Sequence, residues 1–434
     1  GEEALAERGF KVITTLDWEL EEKGEEIAKK YALKNEKTYN ASNASIVAAD
    51  PSTGQILAMV GSRDYFDKEI DGAYNIALAE RQPGSAFKPF VYAEAFKKGY
   101  YPETVVFDLR TQFSTACKPD NFTSEGNCYS PDNYDHKFRG PVSLRNALAQ
   151  SLNVPAVKVL YLAGLNDSLK LARDMGITTL GDAGHYGLTL VLGGGEVRLV
   201  DMVGAYGAFA NEGVKNELQS ILRVEDSSGN VIEEFKPESK RVLDRDVTLQ
   251  IADVLSDNVA RTPLYGPNSP LYFPGRDVAA KTGTTNDKRD AWVLGFTPNL
   301  VVGAWAGNND NSPMSEISGL VVTPLWRAFM DEALKKVEPK SFAQAPRTPD
   351  TAKPVLRGVW FDLSGFASAD VNGLTSSSMN LLNAVAGAHS ILYFVDKSDP
   401  GGPQPSNPND DPQFPLWEYP VSIWKQQMLQ SAGY

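Results

Sequence analysis

Apolar positions are sparse over the first 44 residues and helically spaced: Leu16, Leu20, Ile27 and Tyr31 fall near one face, with Asp17 as a candidate N-cap. The texture changes at Ser45. Ile46-Val47-Ala48-Ala49, the turn-forming Pro51-Ser52-Thr53-Gly54 and Ile56-Leu57-Ala58-Met59-Val60 read as strand, turn and strand. Helical spacing then dominates, over 87–98, 144–151, 154–163, 200–210 and 248–259. A second strand-rich stretch follows over 278–306. Strands at both ends with helices between predict an α+β domain, closed by bringing distant strands into one sheet. After Val337 the chain turns rich in Pro, Ser and Asn, and 400–415 reads as an extended linker or wrapping arm. The expected segments are 1–44, 45–337 and 338–434. The last is expected to pack on the middle one through Trp360, Trp417 and Trp424.

Of the 434 residues, 42% are apolar and 22% charged, which supports a real core and excludes wholesale disorder. The net charge of −13 argues against nucleic-acid binding and offers no basic face to anionic lipid. The uncharged apolar run 291–309 is broken by Pro298-Asn299, so it reads as two short strands and a turn, not a membrane span. Cys117 and Cys128 enclose a polar segment containing Gly and Pro. They are either two unrelated thiols or a small disulfide-closed surface loop, whose closure would stabilise by roughly 2–3 kcal/mol. Two cysteines and three scattered histidines do not make a zinc site.

Three short motifs stand in order: Ser85-Ala86-Phe87-Lys88, Ser151-Leu152-Asn153 and Lys281-Thr282-Gly283. Gly84 permits a tight turn before a helix, which would set Ser85 at an N-terminus with outward N–H groups. Ser85 and Lys88, three apart, share a helical face. A serine hydroxyl needs a base, and a desolvated lysine can be neutral enough to serve. Ser151 offers a hydroxyl that can relay a proton, and Asn153 an amide that can hold a peptide group. Lys281 and its neighbouring hydroxyls suit a carboxylate, while Gly283 admits a second backbone.

Each motif alone is weak. Ser422-Ile423-Trp424-Lys425 repeats the first spacing without downstream partners. Ser228-Gly229-Asn230, Ser256-Asp257-Asn258 and Ser378-Met379-Asn380 repeat the second. Ser256-Asp257-Asn258 ends an apolar helical pattern, and a polar helix end is the stronger reading there. The ordered triple carries the case.

The motifs match those of penicillin-binding proteins and serine β-lactamases. Residues 81–89, 151–156, 192–197 and 281–292 resemble the corresponding segments of class A (bifunctional) penicillin-binding proteins. Residues 9–17 resemble the linker after their glycosyltransferase domain, and the likeness extends over about 8–337. The resemblance implies a penicillin-binding transpeptidase fold, an antiparallel sheet flanked by helices, and a D,D-transpeptidase of the cell wall. Ser85 would attack the penultimate D-alanine of a peptidoglycan stem peptide, with Lys88 as base and Ser151 relaying the proton. The N–H groups of Ser85 and Thr284 would form the oxyanion hole. Lys281, Thr282 and Thr284 would hold the terminal carboxylate and Asn153 the peptide backbone, with an amine of a neighbouring stem peptide as acceptor. β-Lactams would acylate Ser85. The resemblance implies no cofactor or metal, no nucleic acid, and a place at the extracytoplasmic face of the bacterial membrane. The upstream glycosyltransferase domain and membrane anchor that it also implies are expected outside these residues.

The nearest rival is a serine β-lactamase, for which Glu212 in Glu212-Gly213-Val214-Lys215-Asn216 is the candidate deacylating base, although a helix end accounts for it better. A D,D-carboxypeptidase would share every catalytic residue. A β-lactam-sensing module would acylate without turnover. His136, His185 and His389 have no link to the motifs, which disfavours a Ser-His-Asp triad.

Overall fold

The computed structural model describes residues 9–285, 287–315, 319–362 and 378–431. Asn286, in the third-motif segment, and the side chains of Ser378-Met379-Asn380 lie outside the described residues. The chain divides into two compact units, each built from two separated segments: Gly1–Ala93 with Leu165–Pro346, and Glu94–Gly164 with Arg347–Tyr434.

The first unit is organised by a five-stranded antiparallel sheet in the order Ala279–Thr284, Asp290–Thr297, Leu300–Gly307, Asn43–Ala49, Ile56–Val60. The early strand pair and the late strand-rich stretch thus meet at Asn43–Ala49 and Leu300–Gly307. Those two strands are buried on both faces, which is why they read as continuous small and apolar runs without alternation. Helices Trp18–Tyr39 and Gly319–Ala333 cover one face, placing Leu20, Ile27, Ala28, Ala32, Trp326 and Phe329 in one core with Ile46, Val293 and Val302. Asp17 caps the first of these helices, accepting from the Leu20 N–H. Helix Leu199–Ala210 covers the other face, with Tyr206 and Phe209 against Phe296. A side chain at Gly303 would collide with Val203 and Leu199 of that helix, so glycine sets the distance of closest approach there.

No structural break falls at residue 44. Trp18–Tyr39 buries its apolar stripe on the sheet, and Lys11–Thr14 pairs with Ile221–Glu225 in a separate three-stranded sheet. The expected helix over 248–259 is two helices, Arg245–Ser256 and Asn258–Tyr265, because Asp257 stops the first and caps the second by accepting from the Ala260 N–H.

The second unit joins the strand pair Val105–Asp108 and Gly140–Ser143 to helices Leu144–Ala149, Asn153–Ala163 and the late Phe414–Ser431. Trp417, fully buried, lies between the rings of Phe113 and Tyr161, and Phe107 packs against Trp360 and Trp424. All three tryptophans of the tail therefore serve the core that it shares with residues 94–164. The stretch read as an extended arm instead turns at Pro408–Asp410 and enters a helix at Phe414. Gln413 donates to the Phe113 carbonyl at 2.7 Å, and Tyr161 to Asp411 at 2.7 Å. Cys117 and Cys128 are joined by a disulfide.

Candidate active site

Ser85 sits in a 3-10 turn, Gly84–Phe87, that runs directly into helix Lys88–Lys97. Gly84 adopts φ +54°, a conformation glycine enters without a Cβ clash. Ser85 remains half-buried while Lys88 is wholly buried. The turn is held by its backbone. Tyr206 donates to the Ala86 carbonyl at 2.8 Å, and the Trp292 indole to the Gln82 carbonyl at 2.8 Å. Arg81 and Val197 exchange two backbone hydrogen bonds at 2.9 Å each.

Three glycines let separate stretches of backbone converge here. A Cβ on Gly84 would stand 2.2 Å from the Thr284 carbonyl oxygen, and one on Gly283 would stand 2.1 Å from that of Pro83. A Cβ on Gly193, at φ +85°, would stand 2.2 Å from the Gly84 nitrogen. The serine turn is therefore wedged between the edge strand Ala279–Thr284 and the glycine loop 193–195, closer than any side chain would allow. The backbone of the serine turn at Gly84 and that of the strand end at Thr284 therefore lie in direct contact.

Lys281 is buried in the same edge strand, its ammonium donating to the Thr282 carbonyl at 2.9 Å. Thr282, on the other face of the strand, shares a 2.7 Å hydrogen bond with the Tyr265 hydroxyl. Beyond the strand, Thr285 Oγ1 accepts from the N–H groups of Arg289 and Asp290. The Asp290 carboxyl is pushed up to about 6 by burial, a rise opposed by the Trp305 indole, which donates to it at 2.9 Å, and by Arg81.

Burial pulls Lys281 down from 10.5 to about 7. Between those values the folded protein holds fewer protons than the unfolded chain, so this lysine makes stability rise with pH and costs most below about 7. Denaturant melts of wild type and Lys281→Met at about pH 7 and about pH 9.5 should show a smaller pH-dependent gain in the variant. Equal gains would show that Lys281 is charged in the folded protein. The fully buried Lys158 of the second unit is likewise lowered to about 7, and it contributes equally to both proteins.

Ser85, Lys88, Lys281, Thr282, Gly283 and Thr284 are thus gathered in the first unit. Ser151 and Asn153 belong to the second. Ser151 stands at φ +57°, a left-handed conformation unfavourable for serine and a form of strain that clusters at functional sites. Asn153 opens helix Asn153–Ala163, and its amide donates to the Asp132 carbonyl at 2.8 Å.

The repeat spacings have local explanations. Ser256 bonds back to the Asp253 carbonyl at a helix end, and Ser422 to that of Tyr419 within a helix. Asn230 and Ser228 serve a turn around Asp226. Glu212 receives two hydrogen bonds from the Arg245 guanidinium, which holds its carboxyl below the usual range and makes it a poor base. His136 pairs with Asp132 and His389 with Glu418, while His185 lies exposed. The contributions of Tyr206, Tyr265, Arg81 and Asp290 were not foreseen from sequence. Only the Gly193-Gly194-Gly195 run carried a visible signal, since three consecutive glycines mark a close backbone approach.

Comparison with known proteins bears on the family and the fold. The family described as penicillin binding protein transpeptidase domain matches residues 44–331. Penicillin-binding protein 2D of Bacillus subtilis (strain 168) is 31% identical over 435 residues, covering 97% of this chain and 56% of that protein. Penicillin-binding protein 1A of Aquifex aeolicus (strain VF5) is 36% identical over 307 residues, 70% of this chain and 39% of that protein. The chain thus spans about half or less of these relatives' length. The structure of PonA1 from Mycobacterium tuberculosis in complex with penicillin V superposes with a TM-score of 0.66 at 23% identity, covering 80% of this chain and 94% of that one, a likeness of fold. With two thirds of its length matched by the family and a mixed α+β fold shared with its solved structures, the chain belongs to the penicillin-binding protein transpeptidase domain family.

Proposed function

We propose that the chain is the D,D-transpeptidase part of a cell-wall enzyme, acting through an acyl-enzyme on Ser85 and acylated there by β-lactams. The observation that carries this reading is the wedged turn: Ser85 is presented half-buried, three residues before a buried Lys88, where the backbone of Thr284 abuts Gly84. Lys88 takes the hydroxyl proton as Ser85 attacks the carbonyl of the penultimate D-alanine. The N–H groups of Ser85 and Thr284 hold the oxyanion, for which a single donor is typically worth about 3–4 kcal/mol. Ser151 passes a proton to the leaving D-alanine. Lys281, Thr282 and Thr284 receive the terminal carboxylate, with Thr282 oriented by Tyr265, and Asn153 receives the peptide backbone. An amine of a second stem peptide then resolves the ester. The names of the relatives and the penicillin V complex of PonA1 support β-lactam binding. In this reading it works on the cell wall, at the extracytoplasmic face of the membrane.

The test is incubation with a fluorescent penicillin and peptide mapping of the adduct, followed by turnover of a D-alanine thioester with and without an amine. A long-lived adduct on the Ser85 peptide and an amide product are expected. An acid product alone would make the chain a carboxypeptidase, and a stable adduct without turnover a β-lactam-binding module. An adduct elsewhere would overturn the assignment of Ser85.

A further inference from the structure

Helix Asn153–Ala163 begins without a cap of its own. Leu152 occupies the N-cap position, where it can offer no side-chain acceptor to the first free N–H groups. The missing acceptor comes from twenty residues earlier. Asn133 Oδ1 accepts from the Asn153 N–H at 2.8 Å and from the Val154 N–H at 3.3 Å. Asn133 is itself buried, and its Nδ2 is committed as well, to both oxygens of Asp108 at 2.8 and 3.0 Å and to the Lys137 carbonyl at 2.8 Å. The polarity of this amide is therefore fixed from both ends, with acceptor toward the helix and donor toward the carboxylate.

Asp108 is fully buried at the end of strand Val105–Asp108, and it also takes the Arg139 N–H at 3.1 Å. The Arg139 guanidinium lies 3.8 Å from the same carboxylate and donates through Nε to the Gln150 amide oxygen at 3.0 Å. Gln150 immediately precedes Ser151, and Asn153 follows it by two. One flank of Ser151-Leu152-Asn153 thus hangs from Asp108 through Asn133, and the other from Arg139, whose N–H meets Asp108 and whose guanidinium pairs with Asp135 at 2.8 Å, with the strained Ser151 between them.

We propose that Asp108 and Asn133 are positioning residues, which hold Ser151 and Asn153 in their reactive arrangement. This rests on the acyl-enzyme reading above. The carboxylate anchors, the amide transmits, and the helix start that carries the motif is fixed from outside its own sequence. A misplacement of about 1 Å in a reacting constellation can cost about 100-fold in rate, so the arrangement should show in kinetics, not only in stability.

The experiment compares wild type, Asn133→Asp and the exchanged pair Asp108→Asn/Asn133→Asp. The readouts are saturation kinetics of fluorescent-penicillin acylation, melting temperature, and hydrogen exchange at the Asn153 amide. In Asn133→Asp a carboxylate faces Asp108 where a donor stood. We expect its limiting acylation rate to fall about 100-fold, with the Asn153 amide exchanging faster. In the exchanged pair a donor again faces an acceptor between the two positions, while the Lys137 carbonyl loses its donor, so rate and protection should recover in part. A folded Asn133→Asp that acylates at the wild-type rate would overturn the proposal. So would a folded exchanged pair that acylates at least about 100-fold more slowly than wild type, and this comparison decides the matter if the single variant does not fold. If wild type takes no label on Ser85, the acyl-enzyme reading fails, and exchange at Asn153 alone judges whether the pair holds the motif.

Discussion

Ser85→Ala is expected to abolish covalent labelling by a fluorescent penicillin, a loss of more than about 10⁴-fold on the scale of nucleophile removal in serine hydrolases. The expectation rests on the difference between Ser85 and the serines that repeat one or other motif spacing. Ser85 lies in a turn wedged between backbone segments and precedes a buried lysine. Ser422 gives its hydroxyl to the Tyr419 carbonyl at 2.7 Å, and Ser256 gives its own to Asp253 at 3.3 Å. Ser256→Ala and Ser422→Ala should therefore label as wild type does. Gel fluorescence of the three variants, each checked for a wild-type melt, reads the outcome directly. Labelling that survives in Ser85→Ala would move the nucleophile elsewhere and remove the basis for the proposed chemistry.

Trp417→Ala should produce the largest loss of stability from a single side chain of the tail, about 3–5 kcal/mol by analogy with other buried aromatic truncations. Trp417 is wholly buried, touches Phe113 and Tyr161, and donates through its indole to the Gln413 amide oxygen at 2.9 Å. Lys158 lies 5.4 Å from its ring centre. Truncation would leave a cavity, strand the Gln413 oxygen and open the surroundings of a fully buried lysine. Val259→Ala, at a site 84% exposed, should change stability by less than about 0.5 kcal/mol. Denaturant midpoints compare the two. A Trp417→Ala variant as stable as wild type would mean that the tail is not part of this core.

Periodicity exposed the strands of the central sheet because each lies in a run of small and apolar residues between turn formers, as in 46–60 and 291–306. It exposed helix Trp18–Tyr39 because a capping Asp17 precedes an apolar stripe. It did not show that this helix belongs to the same compact unit as the sheet, since its stripe is thin and its remaining faces are charged. The tail was misread for a related reason. Pro and Ser are its commonest residues, while the burial comes from a few aromatics and from Gln413, which reaches the Phe113 carbonyl 300 residues earlier. In the candidate site, the motif residues were legible from their order alone. The residues that hold them were not: Tyr206, Asn133 and Asp108 act through hydrogen bonds to distant backbone or side chains, and no spacing rule records such bonds.

Each compact unit is discontinuous, and this bears on how the chain is made. Strand Asn43–Ala49 pairs with Leu300–Gly307, so its neighbour is synthesised some 250 residues later. At a typical 5–20 residues per second that is a wait of about 12–50 seconds. Residues 94–164 likewise precede their partner segment, which begins at Arg347. Neither unit can complete its core while the ribosome is still working through the middle of the chain. Two apolar strands and an aromatic-lined strand pair stay incomplete through that interval, so the nascent protein needs shielding from aggregation until its last third has emerged.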